Sequence, residues 1–135
     1  MSTLNEVLKE LVDDVDGGLA CSVVDLDSGL MLGAYHTVPY FTQSYIDAVS
    51  AASVDMFRGK TVSTVEKLLS AQRGVEVRNS IREVQMSTEA TYHFMAVAPN
   101  KPNVLVVLVT SRKANLGMGW TAMRRALVEV IPHCP

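Results

Sequence analysis

Val104-Leu105-Val106-Val107-Leu108-Val109-Thr110-Ser111-Arg112-Lys113-Ala114-Asn115-Leu116-Gly117-Met118-Gly119-Trp120 is the stretch that decides the fold. Its first six residues are apolar at every position. A strand apolar on both faces is covered on both faces, so residues 104–109 belong in the middle of a sheet. A helix follows over about residues 115–131, with Leu116, Trp120, Met123 and Leu127 on one face and Pro132 as its stop. Trp120 and Met123 read as core. Gly117 and Gly119 each cost up to about 1 kcal/mol of helix propensity relative to alanine. The compensating gain is a close approach of the helix start to the sheet.

Upstream, Leu4, Val7, Leu8, Leu11, Val12 and Val15 make an apolar helical stripe. Thr3 and Glu6 form a capping-box pair, and Gly17-Gly18 ends the helix. Residues 19–25 and 30–36 read as strands joined at Asp27-Ser28-Gly29, a β-hairpin closed by Val38-Pro39. Residues 42–58 read as a second helix, capped by Thr42 or Ser44, with Tyr45, Ile46, Val49, Met56 and Phe57 apolar. Small residues between them (Ala48, Ala51, Ala52, Ser53) let another helix approach closely. Residues 63–72 read as a further short helix, with Ser63 and Glu66 as a second capping box and Val65, Leu68 and Leu69 as its apolar face. Residues 81–88 and 91–98 are strands, and a turn through 99–103 leads into the central one.

The expected fold class is therefore α/β in the α+β sense: a five-stranded, mainly antiparallel sheet between helices. The first and last helices lie on one face and the second on the other. The 135 residues fit a single domain, 1–135, large enough to need no metal or disulfide staple. Charged residues are only 19%, which suggests extra apolar surface for an oligomer interface, aggregation being the plain alternative. The formal net charge of −2 and the scattered basic residues give no sign of nucleic acid or an anionic membrane as partner. Residues 1–10 are polar and amphipathic, unlike a signal peptide, and no apolar run approaches the roughly 18 residues of a membrane span. A cytoplasmic location with reduced thiols is expected.

No constellation carries chemistry. Gly59-Lys60-Thr61 ends like a phosphate loop but lacks the upstream glycine and strand. Asp25-Leu26-Asp27-Ser28-Gly29 opens like a calcium loop, but His36 stands where the bidentate glutamate is needed. His36, His93 and His133 are far apart, and neither CxxC nor HxxxH occurs, so no metal and no cofactor are expected. A Cys21–His93 nucleophile pair would have no orienting acid or oxyanion loop beside it. Arg58, Arg73, Arg78 and Arg82 could supply an arginine finger, with solvated side chains as the ordinary alternative. No catalytic residue is assigned. Tyr40 and Phe41 either cap the core or form a partner surface.

The element order, the opening Gly18-Leu19-Ala20-Cys21-Ser22-Val23-Val24-Asp25 with Asp27-Ser28-Gly29-Leu30, and the closing Ala114-Asn115-Leu116-Gly117-Met118 resemble the roadblock/dynein light chain family over nearly the whole chain. Where that family often continues with Ala-Arg, this chain has Gly119-Trp120. Profilin-like and longin-like folds share the layout. The resemblance implies a non-enzymatic scaffold or regulator of a small Ras-like GTPase, acting by protein–protein binding as a homodimer or with another roadblock chain. It implies edge-to-edge pairing of the 81–88 strands, with Ile46, Val49, Ala52, Ser53 and Met56 lining a helix contact beside Val84 and Met86. An open edge strand carrying Val84 and Met86 would be an aggregation hazard that dimerisation removes. The alternative is a profilin-like sensory module holding a small ligand between sheet and helix.

Overall fold

The computed structural model of the chain describes residues 3–135; Met1 and Ser2, the first residues of the polar opening, lie outside the described residues. Helix α1 (Leu4–Asp14) is followed by strands β1 (Gly18–Asp25) and β2 (Met31–His36), and then by helices α2 (Gln43–Arg58) and α3 (Lys60–Arg73). Strands β3 (Glu83–Ser87), β4 (Thr91–Val97) and β5 (Val104–Ser111) lead into α4 (Leu116–Val130) and a 3-10 turn at Ile131–His133. The strands form one sheet in the order β2-β1-β5-β4-β3, antiparallel at every pairing. β5 is central, as its continuous apolar run requires.

The pleat sends alternate β5 side chains to opposite faces. Val104, Val106 and Leu108 meet α1 and α4, along with Leu8, Met123 and Phe94. Leu105, Val107 and Val109 meet the other side, where Phe57 of α2 is fully buried. Each large apolar side chain buried this way contributes roughly 1.5–3 kcal/mol of transfer free energy. The α1 capping box forms as its spacing predicts, with Thr3 Oγ1 accepting from the Glu6 amide at 3.2 Å. Asn115 caps α4 by accepting from the Gly117 and Met118 amides at 2.8 and 3.2 Å.

The glycines of α4 differ in purpose. A Cβ on Gly119 would collide with the ring of Phe94, whereas one on Gly117 would approach only the side chain of Asn115. Gly119 is therefore where the helix touches the sheet. Met123 is fully buried there, and Trp120, half-buried, stands edge-on to Phe94 at 5.3 Å.

The third helix departs from the sequence reading. It starts at Lys60, three residues before the expected 63, with Gly59 as an N-cap that makes no side-chain bond. The Ser63–Glu66 capping box does not form, because Ser63 already lies inside the helix and its amide bonds the Gly59 carbonyl. Val65, Leu68 and Leu69 point outward, and the one buried residue of α3 is a carboxylate, Glu66. Glu66 Oε2 accepts from both the amide and the hydroxyl of Ser80, each at 2.6 Å. These bonds hold its carboxyl below the usual carboxylate range. Glu66 thus ties α3 to the segment that leads into β3.

Candidate functional site

The sheet ends differently on its two sides, and the candidate site is the end at β3. Strand β3 pairs with β4 alone, matching Val84 to Met95 and Met86 to His93. The Val97 amide donates to the Arg82 carbonyl at 2.9 Å, and this fixes the ladder phase. Residues 82, 84 and 86 bond toward β4, so the backbone groups of Glu83, Gln85 and Ser87 face outward. Side chains of the same strand are anchored on the far face. Trp120 Nε1 donates to Gln85 Oε1 at 3.0 Å, and Arg124 meets Glu83 at 3.4 Å. α4 therefore braces β3 from one face while its edge stays open. Val84 and Met86 project to the other face, the side of α2 and α3; Val84 is half-buried and Met86 is 37% exposed.

The α2 residues divide by orientation. Ser53 is only 2% exposed and its hydroxyl donates to the Val49 carbonyl at 2.8 Å. Ile46 and Val49 are half-buried and look inward onto Val107 and Val109, across a cavity of about 40 Å3. Met56 is half-buried against the second core, and Ala52 is exposed. Ser50, also buried, leaves its hydroxyl without a partner. The family resemblance implies these positions as one seam, whereas the helix turns most of them toward its own sheet.

Tyr40 and Phe41 separate as well. Phe41 is half-buried between the rings of Tyr45, stacked at 4.8 Å, and His36 at 5.6 Å. Tyr40 is 72% exposed and only touches Phe41 edge-on. Phe41 thus closes the loop before α2, and Tyr40 is free to meet a partner.

The chemical alternatives find little geometry. Cys21 is buried in the α1/α4 core, where desolvation pushes its thiol up to about 12. His93 shares a face with Met95, the opposite one, so the sheet separates the pair. Burial lowers the His93 pKa, and its Nε2 lies 3.0 Å from Thr91 Oγ1. Arg58 is half-buried and tied to the β4–β5 turn through Asn103 Oδ1 at 3.0 Å and the Pro102 carbonyl. Arg73, Arg78 and Arg82 are exposed. Asp25 closes the hairpin turn, accepting from Ser28 Oγ at 2.7 Å and the Asp27 amide at 3.1 Å. Among the described residues, no group of three or more His, Cys, Asp or Glu could hold a metal ion. No described helix is long and apolar enough to cross a membrane.

Comparison with known proteins gives the fold. No protein-family model matches the chain, and no curated protein matches it in sequence. Solved structures do match. A Roadblock/LC7 domain from Streptomyces avermitilis superposes with a TM-score of 0.70 at 17% identity, covering 98% of both chains. MglB of Myxococcus xanthus gives 0.68 at 12% identity, over 94% of this chain and 90% of its own. The gliding protein MglB of Thermus thermophilus gives 0.69 at 21% identity, over 92% and 82%. The chain has the roadblock fold.

Proposed function

We propose that this chain is a non-enzymatic, homodimeric roadblock-type scaffold or regulator that binds a small Ras-like GTPase or another roadblock chain in the cytoplasm. The open, braced β3 edge carries the reading. It offers outward backbone groups at Glu83, Gln85 and Ser87 and apolar side chains at Val84 and Met86, with no proline, lysine or bulge to blunt it. A second copy paired there would extend the sheet across a two-fold axis. Of the five α2 positions of the seam Ala52 is exposed, and half-buried Ile46, Val49 and Met56 would gain cover from such a partner. Ser53 would support the seam from behind. The shared fold with the roadblock proteins supports the same reading.

The ligand-binding alternative is weaker. Small-molecule pockets hold roughly 300 Å3 or more and are mostly apolar. The cavity between α2 and the sheet holds about 40 Å3. A wider recess of about 470 Å3 lies between α3 and residues 76–79, but Arg58, Glu66, Lys67 and Arg78 line it with charge.

Light scattering across concentration tests the dimer. The expected mass is near twice 14.7 kDa. Alanine at Ile46 together with Met56 should lower it toward the single-chain value. A concentration-independent monomer in the native protein would remove the paired-sheet platform.

A further inference from the structure

Helix α3 is held to the fold by polar bonds and turns its apolar stripe to solvent. Ten of its fourteen residues are exposed, among them Val65, Leu69 and, at 61%, Leu68. Its anchors are Glu66 on Ser80 and Ser70, whose Oγ accepts from the Val77 amide at 2.7 Å. Isolated helices of about this length are marginal in water, and in proteins most of their stability comes from packing an apolar face. On α3 that face is uncovered. It is also continuous with the open edge of the sheet. Val65 and Leu69 line an open groove of about 260 Å3 with Val62 and Ile81. Ile81 and Val84 then pack side by side against the second core. No Lys or Arg lines the groove, and its one acid, Glu66, is already bonded to Ser80.

We propose that a second copy covers this face: across the two-fold axis of the paired β3 strands, Val65, Leu68 and Leu69 of α3, with Ile81 and Met86, meet their counterparts on the other copy. This seam presupposes the strand pairing proposed above and supplies the helix contact that the pairing lacks. Area decides the occupant. A stable interface takes roughly 800 Å2 and 20–30 residues from each chain. Strand β3 offers five residues. The α2 positions add exposed Ala52 and the half-buried flanks of Ile46, Val49 and Met56, while Ser53 is buried. The outward stripe of α3 with Ile81 is the apolar surface beside the edge that makes up the shortfall. A different partner seated there would leave the strands to hold the dimer with little else. A two-fold contact sets the same patch on both copies, so the patch must suit itself. An apolar stripe beside a groove without cations meets that condition.

The test mixes full chain carrying isotope-labelled methyl groups with unlabelled full chain and reads methyl contacts between copies. The methyls of Val65, Leu68, Leu69 and Ile81 should show them. Those of Val128 should not, since it stands 68% exposed on α4, on the opposite face of the sheet. Val65→Asp and Leu68→Asp should each raise the dissociation constant of the dimer at least about tenfold, as the loss of an interface anchor does. Val128→Asp, the same change at an equally exposed site, should leave it unaltered. Should an α3 variant fail to fold, the methyl contacts of the native chain decide alone. Contacts between copies at β3 but none at α3, or α3 variants as dimeric as Val128→Asp, would overturn the helix seam and leave the paired strands standing. A monomeric native chain would overturn both. Methyls of α3 that meet phosphatidylserine vesicles and no second copy would give the face to a lipid surface and overturn the seam.

Discussion

Strands β2 and β3 are the two edges of one sheet, and only β2 is covered. Helix α1 lies along β2. Asn5 Oδ1 accepts from the Ala34 amide at 3.3 Å, so an outward backbone donor of the edge is already bonded. Gly33 lets the helix sit that close, because a Cβ there would lie 2.7 Å from Leu4 Cδ2 and 3.0 Å from Asn5 Oδ1. β3 has α4 behind it and nothing along its outer side among the described residues. A protein that protects one edge with a helix has the means to protect both. The uncovered edge at β3, set against the covered one at β2, is the physical basis of the proposed dimer.

The largest effect should come from spoiling the covered edge. Gly33→Leu forces α1 off β2 and should cost about 2–3 kcal/mol in urea unfolding, an overpacking penalty at a close approach. A change under about 0.5 kcal/mol would mean that α1 is not held tightly against β2. Next in size is the tether that leads into β3. Glu66→Gln weakens two bonds to Ser80 and should cost about 1 kcal/mol. It should also alter the acid limb. The native carboxyl titrates below its ordinary value of 4.5, so its contribution is complete above that pH and is lost as pH falls through the lower folded value. Native protein should therefore lose stability on acidification to a degree that the Gln variant does not. Identical acid limbs would count against the tether. Asn5→Ala follows, leaving the Ala34 amide to water for about 0.5–1.5 kcal/mol.

Much of this contrast was legible in the sequence, and the missing parts share a cause. Thr3 with Glu6 announced α1, the unbroken apolar run of β5 placed it centrally, and Gly119 marked a close contact later found at Phe94. The β3 strand also stood out, through Val84 and Met86 alternating with Glu83 and Gln85. Periodicity shows that a helix has an apolar stripe, without showing whether the stripe faces in or out. On α3 it faces out, and the Glu66 that suggested a cap instead reaches Ser80, fourteen residues on. On α2 the small serines at 50 and 53 are buried while Ile46 and Val49 are only half so, because the first half of the helix stands off over a cavity. The cover on β2 depends on Asn5 meeting Ala34, 29 residues apart, which no local spacing encodes.

The smallest effect on the fold should come at the open edge, and it separates cover from contact most directly. The Gln85 amide points away from β4, so Gln85→Pro removes an outward donor and leaves the ladder to β4 intact. What the protomer loses is the bond from Trp120 at an exposed site, and its unfolding free energy should move by less than about 1 kcal/mol. Ala34→Pro makes the same change on β2, where the lost donor is one that Asn5 uses, so its cost should be larger. The mass in solution should respond in the opposite order. Proline at position 85 should convert a particle of twice 14.7 kDa into single chains, while proline at 34 should leave the pairing alone in whatever fraction stays folded. If both variants remain dimeric, the copies meet through some other face, and the open edge of β3 is free for a different strand to add to.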